Sequence, residues 1–342
     1  AIFNSIPKTL KYAVSVGIGL FIAFLGLQDA KLVIPSESTG VTLASFNLLG
    51  GAGWGAVMPL IVAVFSLLLI AVLSHKKVKG SILWGILGGT GLYYILGFTV
   101  KDFYKGFAET LSFNPFKPFS AFASEAFGKV FTEGFDFSAY LSADGHSVGG
   151  LVILFITTAL AFCMVDMFDT LGTLYGACRG GNLLVKNEKG ELEVPNMDRA
   201  MMADAVATCT GSVLGTSTVT TFVESSAGVA AGGKTGVTSL VTAVAFAVAL
   251  FFAPIAKLIP PYAYGAALIY VGVLMIGSVK DIDWKDVSVS VPAFLTIAMM
   301  PFTYNISYGI AFGLFSYVII KAFCGEIKQI KIGTWVVTAL FV

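Results

Sequence analysis

Two aspartates, Asp166 and Asp169, lie in MVDMFDTLGTL directly after residues 145–165, which hold no Asp, Glu, Lys or Arg. So long a charge-free run predicts a membrane-spanning helix, and acids inside such a helix are costly enough to mark a functional site. On a helix their spacing puts both carboxylates on one face, where they resist being charged together. Asp169 is the stronger ligand candidate, because Thr170, Gly172 and Thr173 follow it with hydroxyl donors and little bulk. Asp166 serves as readily as a structural acid. A third acid, Glu224, follows residues 205–223, also without charge, in the string GTSTVTTFVES. Its Thr, Val and Phe content favours extended backbone. Non-helical backbone at membrane depth survives only where protein or a polar cavity satisfies it, so strand and acid together predict a binding site near the midplane. Glu224 would begin a half-helix whose first NH groups are unpaired, with Ser225 and Ser226 as further donors; the plain alternative is an ordinary helix-start acid. Two such carboxylates suit a neutral heterocycle. Each accepts ring or exocyclic NH hydrogens, while one binds and releases a coupling proton.

The elements that must position these acids are read from charge-free windows. Spans are predicted at about 8–28, 56–75, 81–99, 148–177, 200–215, 236–256, 263–279, 287–303 and 305–323. Composition agrees: 56% of residues are hydrophobic and 12% charged, against roughly 25% charged in soluble domains. The chain is therefore expected to be an all-α polytopic protein of the plasma (inner) membrane. Its net charge of +1 gives no bulk attraction to nucleic acid. The four cysteines show no metal-ligand spacing, and neither a metal nor a cofactor is expected. Residues 101–144 mix polar and aromatic side chains, with Phe119, Phe122, Phe127 and Phe131 at near-helical spacing. That suits an interfacial amphipathic helix or, equally, a loop packed on the bundle. Lys76, Lys77 and Lys79 mark one loop as cytoplasmic, and counting spans puts Arg179, Lys186, Lys189, Arg199, Lys234, Lys280 and Lys321 on the same side.

A weak repeat organises the whole. IPKTLKYAVSVGIGLFI and IPPYAYGAALIYVGVLM align at constant offset, pairing Pro7 with Pro260, Ala13 with Ala266 and Gly19 with Gly272. Such self-similarity is the signature of a repeat-built transporter. Four elements, beginning at residue 148, precede Pro260 and none precedes Pro7, which sets the expectation that the first elements of the first repeat are missing and the chain is N-terminally truncated. One motif misleads. Gly228, Gly233, Lys234 and Thr235 satisfy the Walker pattern in GVAAGGKT, but no soluble α/β domain surrounds them, so a Gly-rich cytoplasmic turn is the better reading. An intramembrane aspartyl hydrolase is disfavoured because no GxGD string is present.

The strings VDMFDTLGTLYG, DRAMMADAVATCTGSVLGTSTVTTFVESSAG, GGKTGVTSL and IPKTLKYAVSVGIGLFIAFLGL resemble the AzgA-like purine permeases of the nucleobase (xanthine/uracil) transporter superfamily. The resemblance implies an inverted-repeat fold of core and gate domains with a short strand in a broken helix. It implies gate helices in 1–100, an extracellular or interfacial segment in 101–147, core helices in 148–257, gate helices in 258–323 and a tail in 324–342. It places Asp169, Thr173, Phe222, Val223 and Glu224 around a purine base, with Asp166 beside them. The implied function is import of adenine, guanine or hypoxanthine by proton symport with an elevator-like movement, in a bilayer-embedded chain that is a candidate homodimer. A sulfate-type anion carrier shares the resembled fold, but two acids facing the site would repel its substrate. A non-transporting receptor or scaffold on this fold is the further alternative.

Overall fold

The computed structural model describes residues 7–48, 53–100, 103–104, 119–120, 122–134, 136–142, 147–186, 192–252 and 256–340. Helices stand at every predicted span. The described helices are α1 (Lys8–Asp29), α2 (Trp54–His75), α3 (Ser81–Gly97), the single turns α4 (Lys129–Thr132) and α5 (Ser138–Leu141), α6 (Val148–Gly180), α7 (Met197–Leu214), α8 (Ser225–Ala230), α9 (Gly236–Phe251), α10 (Pro261–Met275), α11 (Val287–Thr303), α12 (Ile306–Phe323) and α13 (Ile332–Leu340), of which α4, α5, α8 and α13 lie outside the predicted spans. Among the described residues, five helical stretches are long and apolar enough to cross a membrane: Thr9–Asp29, Trp54–His75, Val148–Gly180, Pro261–Asp281 and Ile306–Phe323. The chain is a multi-pass, mostly helical membrane protein. Its few strands form two antiparallel hairpins, β1 (Val33–Ser36) with β2 (Gly40–Leu43), and β3 (Val185–Lys186) with β4 (Leu192–Glu193).

The chain divides into two compact units. One comprises Ala1–Ile18, Phe119–Val223 and Gly277–Val342; the other comprises Gly19–Pro118 and Glu224–Ile276. In the second unit the two Pro-led repeat helices meet each other. A Cβ added to Gly272 would lie 2.4 Å from the Gly19 carbonyl oxygen, and one on Gly26 would lie 2.5 Å from that of Gly265. Contacts that advance along α1 as they recede along α10 make the pair antiparallel. Without Gly at these positions the backbones could not approach so closely, the usual device where helices associate in lipid. Gly19 and Gly272 are also paired by the sequence repeat, as expected near an axis relating inverted halves. The α2–α3 hairpin closes similarly, with Gly85 against Ile70 and Gly89 against Ser66.

In the first unit, α11 and α12 form a tight hairpin. Tyr304 closes α11 in the left-handed region, φ 54°, and Asn305 caps α12 by accepting the NH of Ser307 at 2.8 Å. Gly309 and Gly313 then seat against Met300 and Thr296. The early part of α1 belongs to this unit: Gly17 faces Met300, and Ala13 joins Ile282 and Ala293 in a small core. Helix α6 spans 33 residues, about 50 Å at 1.5 Å per residue, well beyond a 30 Å hydrocarbon layer. Its first half is apolar and exposed, as at Ile153 and Phe162, while Phe168, Thr170, Leu171 and Thr173 in its second half are buried.

The aromatic segment is not one long helix among its described residues. It comprises a π-helical turn at Phe122–Ala126 and the separate turns α4 and α5, with Phe122 against Phe127 and Phe131 exposed. Residues 101–102 and 105–118 lie outside the described residues.

Candidate functional site

The site is organised by an acid that motif reading passed over. Asp204, buried on α7, accepts a hydrogen bond from the Thr170 hydroxyl at 2.8 Å on one carboxylate oxygen and from the Thr221 hydroxyl at 2.8 Å on the other. The Thr170 hydroxyl also lies 3.0 Å from that of Thr220. One carboxylate therefore joins α6, α7 and the segment that follows α7. A buried carboxylate is tolerable only when its oxygens are satisfied in this way.

That segment is held along its length. Gly215 closes α7 at φ +77°, where an L side chain is strained, and a Cβ there would fall 2.2 Å from the Ala126 carbonyl oxygen. Thr216 then sends its NH back to the Gly211 carbonyl at 2.9 Å, and the chain reverses. Thr208 donates its hydroxyl to the Val219 carbonyl at 2.9 Å, and Val219 covers Gly211. Asp204, Thr208 and Gly211 form one face of α7 at helical spacing, so the returning backbone is tied at Thr221, Val219 and Thr216 in turn.

The break at GTSTVTTFVES is thus present, but residues 216–222 form no ladder strand among the described residues. A strand is defined by its paired neighbour. Here α7 itself holds the segment, Thr208 through the Val219 carbonyl and Asp204 through the Thr221 hydroxyl.

On α6, residues 166, 169, 170 and 173 lie on one face at i, i+3, i+4 and i+7. Asp166 neighbours Asp204 and Thr220, and one of its oxygens, Oδ1, is buried without a hydrogen-bond partner. Thr173 is fully buried, and its hydroxyl also has no partner. Asp169 sits between them, half-buried. Of the other predicted residues, Val223 is buried and Phe222 is 55% exposed. The boundary between the two units falls after Val223. Glu224 stands at the N-cap of α8, exposed, and its side chain makes no capping hydrogen bond. Its charge at the helix start still faces the positive end of the helix dipole, so the ordinary helix-start role and a ligand-facing role both remain open to it. In α8 the buried Ser226 hydroxyl is likewise unpartnered.

The C-terminal end of α6 is anchored by Arg179, whose Nη2 lies 2.7 and 2.5 Å from the two carboxylate oxygens of Asp281, beside the rings of Tyr12 and Tyr175, tilted at 41° with centroids 5.1 Å apart. Among the described residues no group of three His, Cys, Asp or Glu side chains offers a metal-ligand set. The arrangement can supply acceptors and hydroxyls to a polar, uncharged ligand.

A permease family model (Xan_ur_permease) matches residues 1–312. The chain belongs to this permease family. It is 40% identical over 341 residues to a putative permease of Methanocaldococcus jannaschii, an alignment covering 99% of the chain and 69% of that protein. It is 38% identical over 331 residues to the guanine/hypoxanthine permease PbuO of Bacillus subtilis, covering 96% of the chain and 68% of the relative. The adenine permease AdeQ of Escherichia coli is 32% identical over 340 residues, covering 99% and 67% respectively. These proteins are transporters, and this family member is a permease rather than an enzyme. The buried Asp204 with its threonine partners lies inside the family match, as do Asp166, Asp169 and Glu224.

Proposed function

We propose that this permease imports purine nucleobases, adenine, guanine or hypoxanthine, together with a proton. The observation that supports this most is the Asp204 network, which holds a non-helical backbone stretch beside two further acids of a membrane helix. A neutral purine presents ring and exocyclic NH donors, and such donors are matched by carboxylates in a desolvated site. In this reading Asp169 and Glu224 each accept purine NH hydrogens. Thr173 supplies its unpartnered hydroxyl, and Phe222 and Val223 provide apolar contact to the base. Asp166 supports Asp169, and Asp169 takes up and releases the coupling proton.

The purines for which the relatives are named, guanine, hypoxanthine and adenine, favour the same class of ligand. Transport then proceeds by an elevator-like movement of core helices within 148–257 against gate helices within 1–100 and 258–323.

Cells producing the full-length protein should take up radiolabelled adenine, guanine or hypoxanthine in a saturable way, and an uncoupler should suppress accumulation. Absence of saturable purine uptake in well-expressing cells would overturn the proposal. Uptake that survives the uncoupler but requires sodium would replace the proton as the coupling ion.

A further inference from the structure

The α2–α3 hairpin carries a second feature, remote in sequence from the acids and contained within one unit. A groove of about 590 Å³ is lined by Leu69 and Leu73 of α2, Val78 of the connecting loop, and Trp84, Leu87 and Gly88 of α3. Every lining residue is apolar, and the volume falls in the roughly 300–1,000 Å³ range of small-molecule sites. Two packing facts create it. The glycine face of α3 draws that helix tightly onto α2, with Gly85 on Ile70 and Gly89 on Ser66. One turn away, Gly88 has no side chain to fill the notch that Trp84 and Leu87 flank; a Cβ there would already reach Leu69 Cδ2 at 2.6 Å.

The loop over this notch is strongly basic. After α2 the backbone turns sharply, Val78 sending its NH to the Leu73 carbonyl at 3.0 Å with Lys77 in the left-handed region at φ 56°. Val78 is thereby turned back onto the groove, between Lys77 and Lys79 in the chain. Lys76, Lys77 and Lys79 are all exposed, and no acid lies between residues 54 and 101. A mostly apolar groove reaching Val78, which Lys77 and Lys79 flank in the chain, next to three cations with no ion-pair partner among the described residues and at the expected cytoplasmic face, suits an amphiphile with an anionic head. A purine would find no side-chain hydrogen-bond acceptor in it for its NH groups. A second copy of the chain would have to bury the three lysines without acids from this hairpin to meet them.

We propose that the groove seats an acyl chain of an anionic phospholipid of the cytoplasmic leaflet, with Lys76, Lys77 and Lys79 holding its phosphate headgroup. The inference rests on the membrane placement of the hairpin and not on the purine proposal. Juxtamembrane cations attract anionic lipid by about fivefold per residue at full contact, and salt screens that attraction.

Trp84, on the groove wall and 56% exposed, provides the reporter. The full-length protein is reconstituted with increasing mole fractions of brominated phosphatidylglycerol or brominated phosphatidylcholine. Quenching is measured as the fluorescence component that Trp84→Phe removes. Phosphatidylglycerol should quench that component at roughly tenfold lower mole fraction than phosphatidylcholine. High salt should erase the difference, and so should the triple variant Lys76→Gln, Lys77→Gln, Lys79→Gln. Equal quenching by the two lipids at low salt overturns the proposal, as does a preference that persists at high salt. If neither lipid quenches Trp84 and shielding grows with protein density, a second copy fills the groove and the proposal is wrong. Because the salt titration uses the unaltered protein, failure of the triple variant to insert does not rescue it. Purine uptake is not part of the readout, so this test and that of the transport proposal fail independently.

Discussion

Replacing Asp204 by Asn tests whether one carboxylate fixes the non-helical segment. In the native protein Asp204 takes hydroxyl hydrogens from Thr170 and Thr221, both at 2.8 Å, and is buried. A hydrogen bond to a charged acceptor contributes about 1.5–3 kcal/mol, a neutral one nearer 1 kcal/mol. Asn keeps one acceptor oxygen and presents an NH2 group to the other hydroxyl. The Thr170 hydroxyl can adapt by donating instead to Thr220, 3.0 Å away, so the expected cost of Asp204→Asn is about 1–3 kcal/mol. Thr221→Val removes one charged bond at little change in shape and should cost a similar amount. Because both substitutions strike the same bond, the double variant should be less damaged than the sum, by about 1–2 kcal/mol. The assay is reversible unfolding in mixed detergent micelles for the four proteins of the cycle. Purine affinity is measured alongside, since a loosened segment should also bind weakly. Additivity within about 0.5 kcal/mol would refute the claim that Asp204 and Thr221 act as a pair.

Three further outcomes are expected. Glu224→Gln should weaken purine binding by about 1–3 kcal/mol, the loss of a charge-assisted hydrogen bond in a desolvated site; unchanged affinity in a well-expressed variant removes Glu224 from the site. Gly215→Ala should destabilise the break by about 1–3 kcal/mol, from its positive φ and its crowding against the Ala126 carbonyl, whereas an unfolding midpoint equal to that of the parent would show that the turn relaxes freely. At the start of α11, the hydroxyl and then the backbone NH of Ser288 hold the Asp286 carboxyl below its ordinary value of 3.8. A depressed native pKa contributes stability above the unfolded value that is lost as pH falls through the native one. Hydrogen exchange at Ser288 and Val289 should therefore quicken as pH is lowered below about 4 after correction for intrinsic rates, and Asp286→Asn should flatten that dependence; equal dependence in both proteins would contradict it.

The spans were legible in the sequence because a membrane helix announces itself by charge exclusion. The window 148–177 became Val148–Gly180, and 287–303 became Val287–Thr303. The break after Leu214 was also legible from Gly215 and the threonine-rich string. What the string could not reveal is what it bonds to, since the ties of Val219 to Thr208 and of Thr221 to Asp204 span 11 and 17 residues. Asp204 was missed because it ends the charge-free window 205–223 at its outer edge, where an acid reads as an ordinary flanking residue. The missed clue was symmetrical: Asp166 stands at the edge of its own window in the same way, and Thr208 follows Asp204 by one turn. The expected strand did not form a ladder, because β-propensity reports a fit to a pleated neighbour that this segment lacks among the described residues. Gly19 and Gly272, paired by the alignment, also meet in space, a contact the alignment itself does not require.

Uphill transport by purified protein tests the central claim most directly. Proteoliposomes containing the full-length protein should concentrate adenine, guanine or hypoxanthine when an inward proton gradient is imposed. The Asp169→Asn variant should lose that accumulation while retaining exchange of labelled for unlabelled purine, because exchange needs movement of the loaded site without net proton transfer. No gradient-driven accumulation by the unaltered protein would contradict purine–proton symport, and accumulation undiminished in Asp169→Asn would take the coupling role away from Asp169.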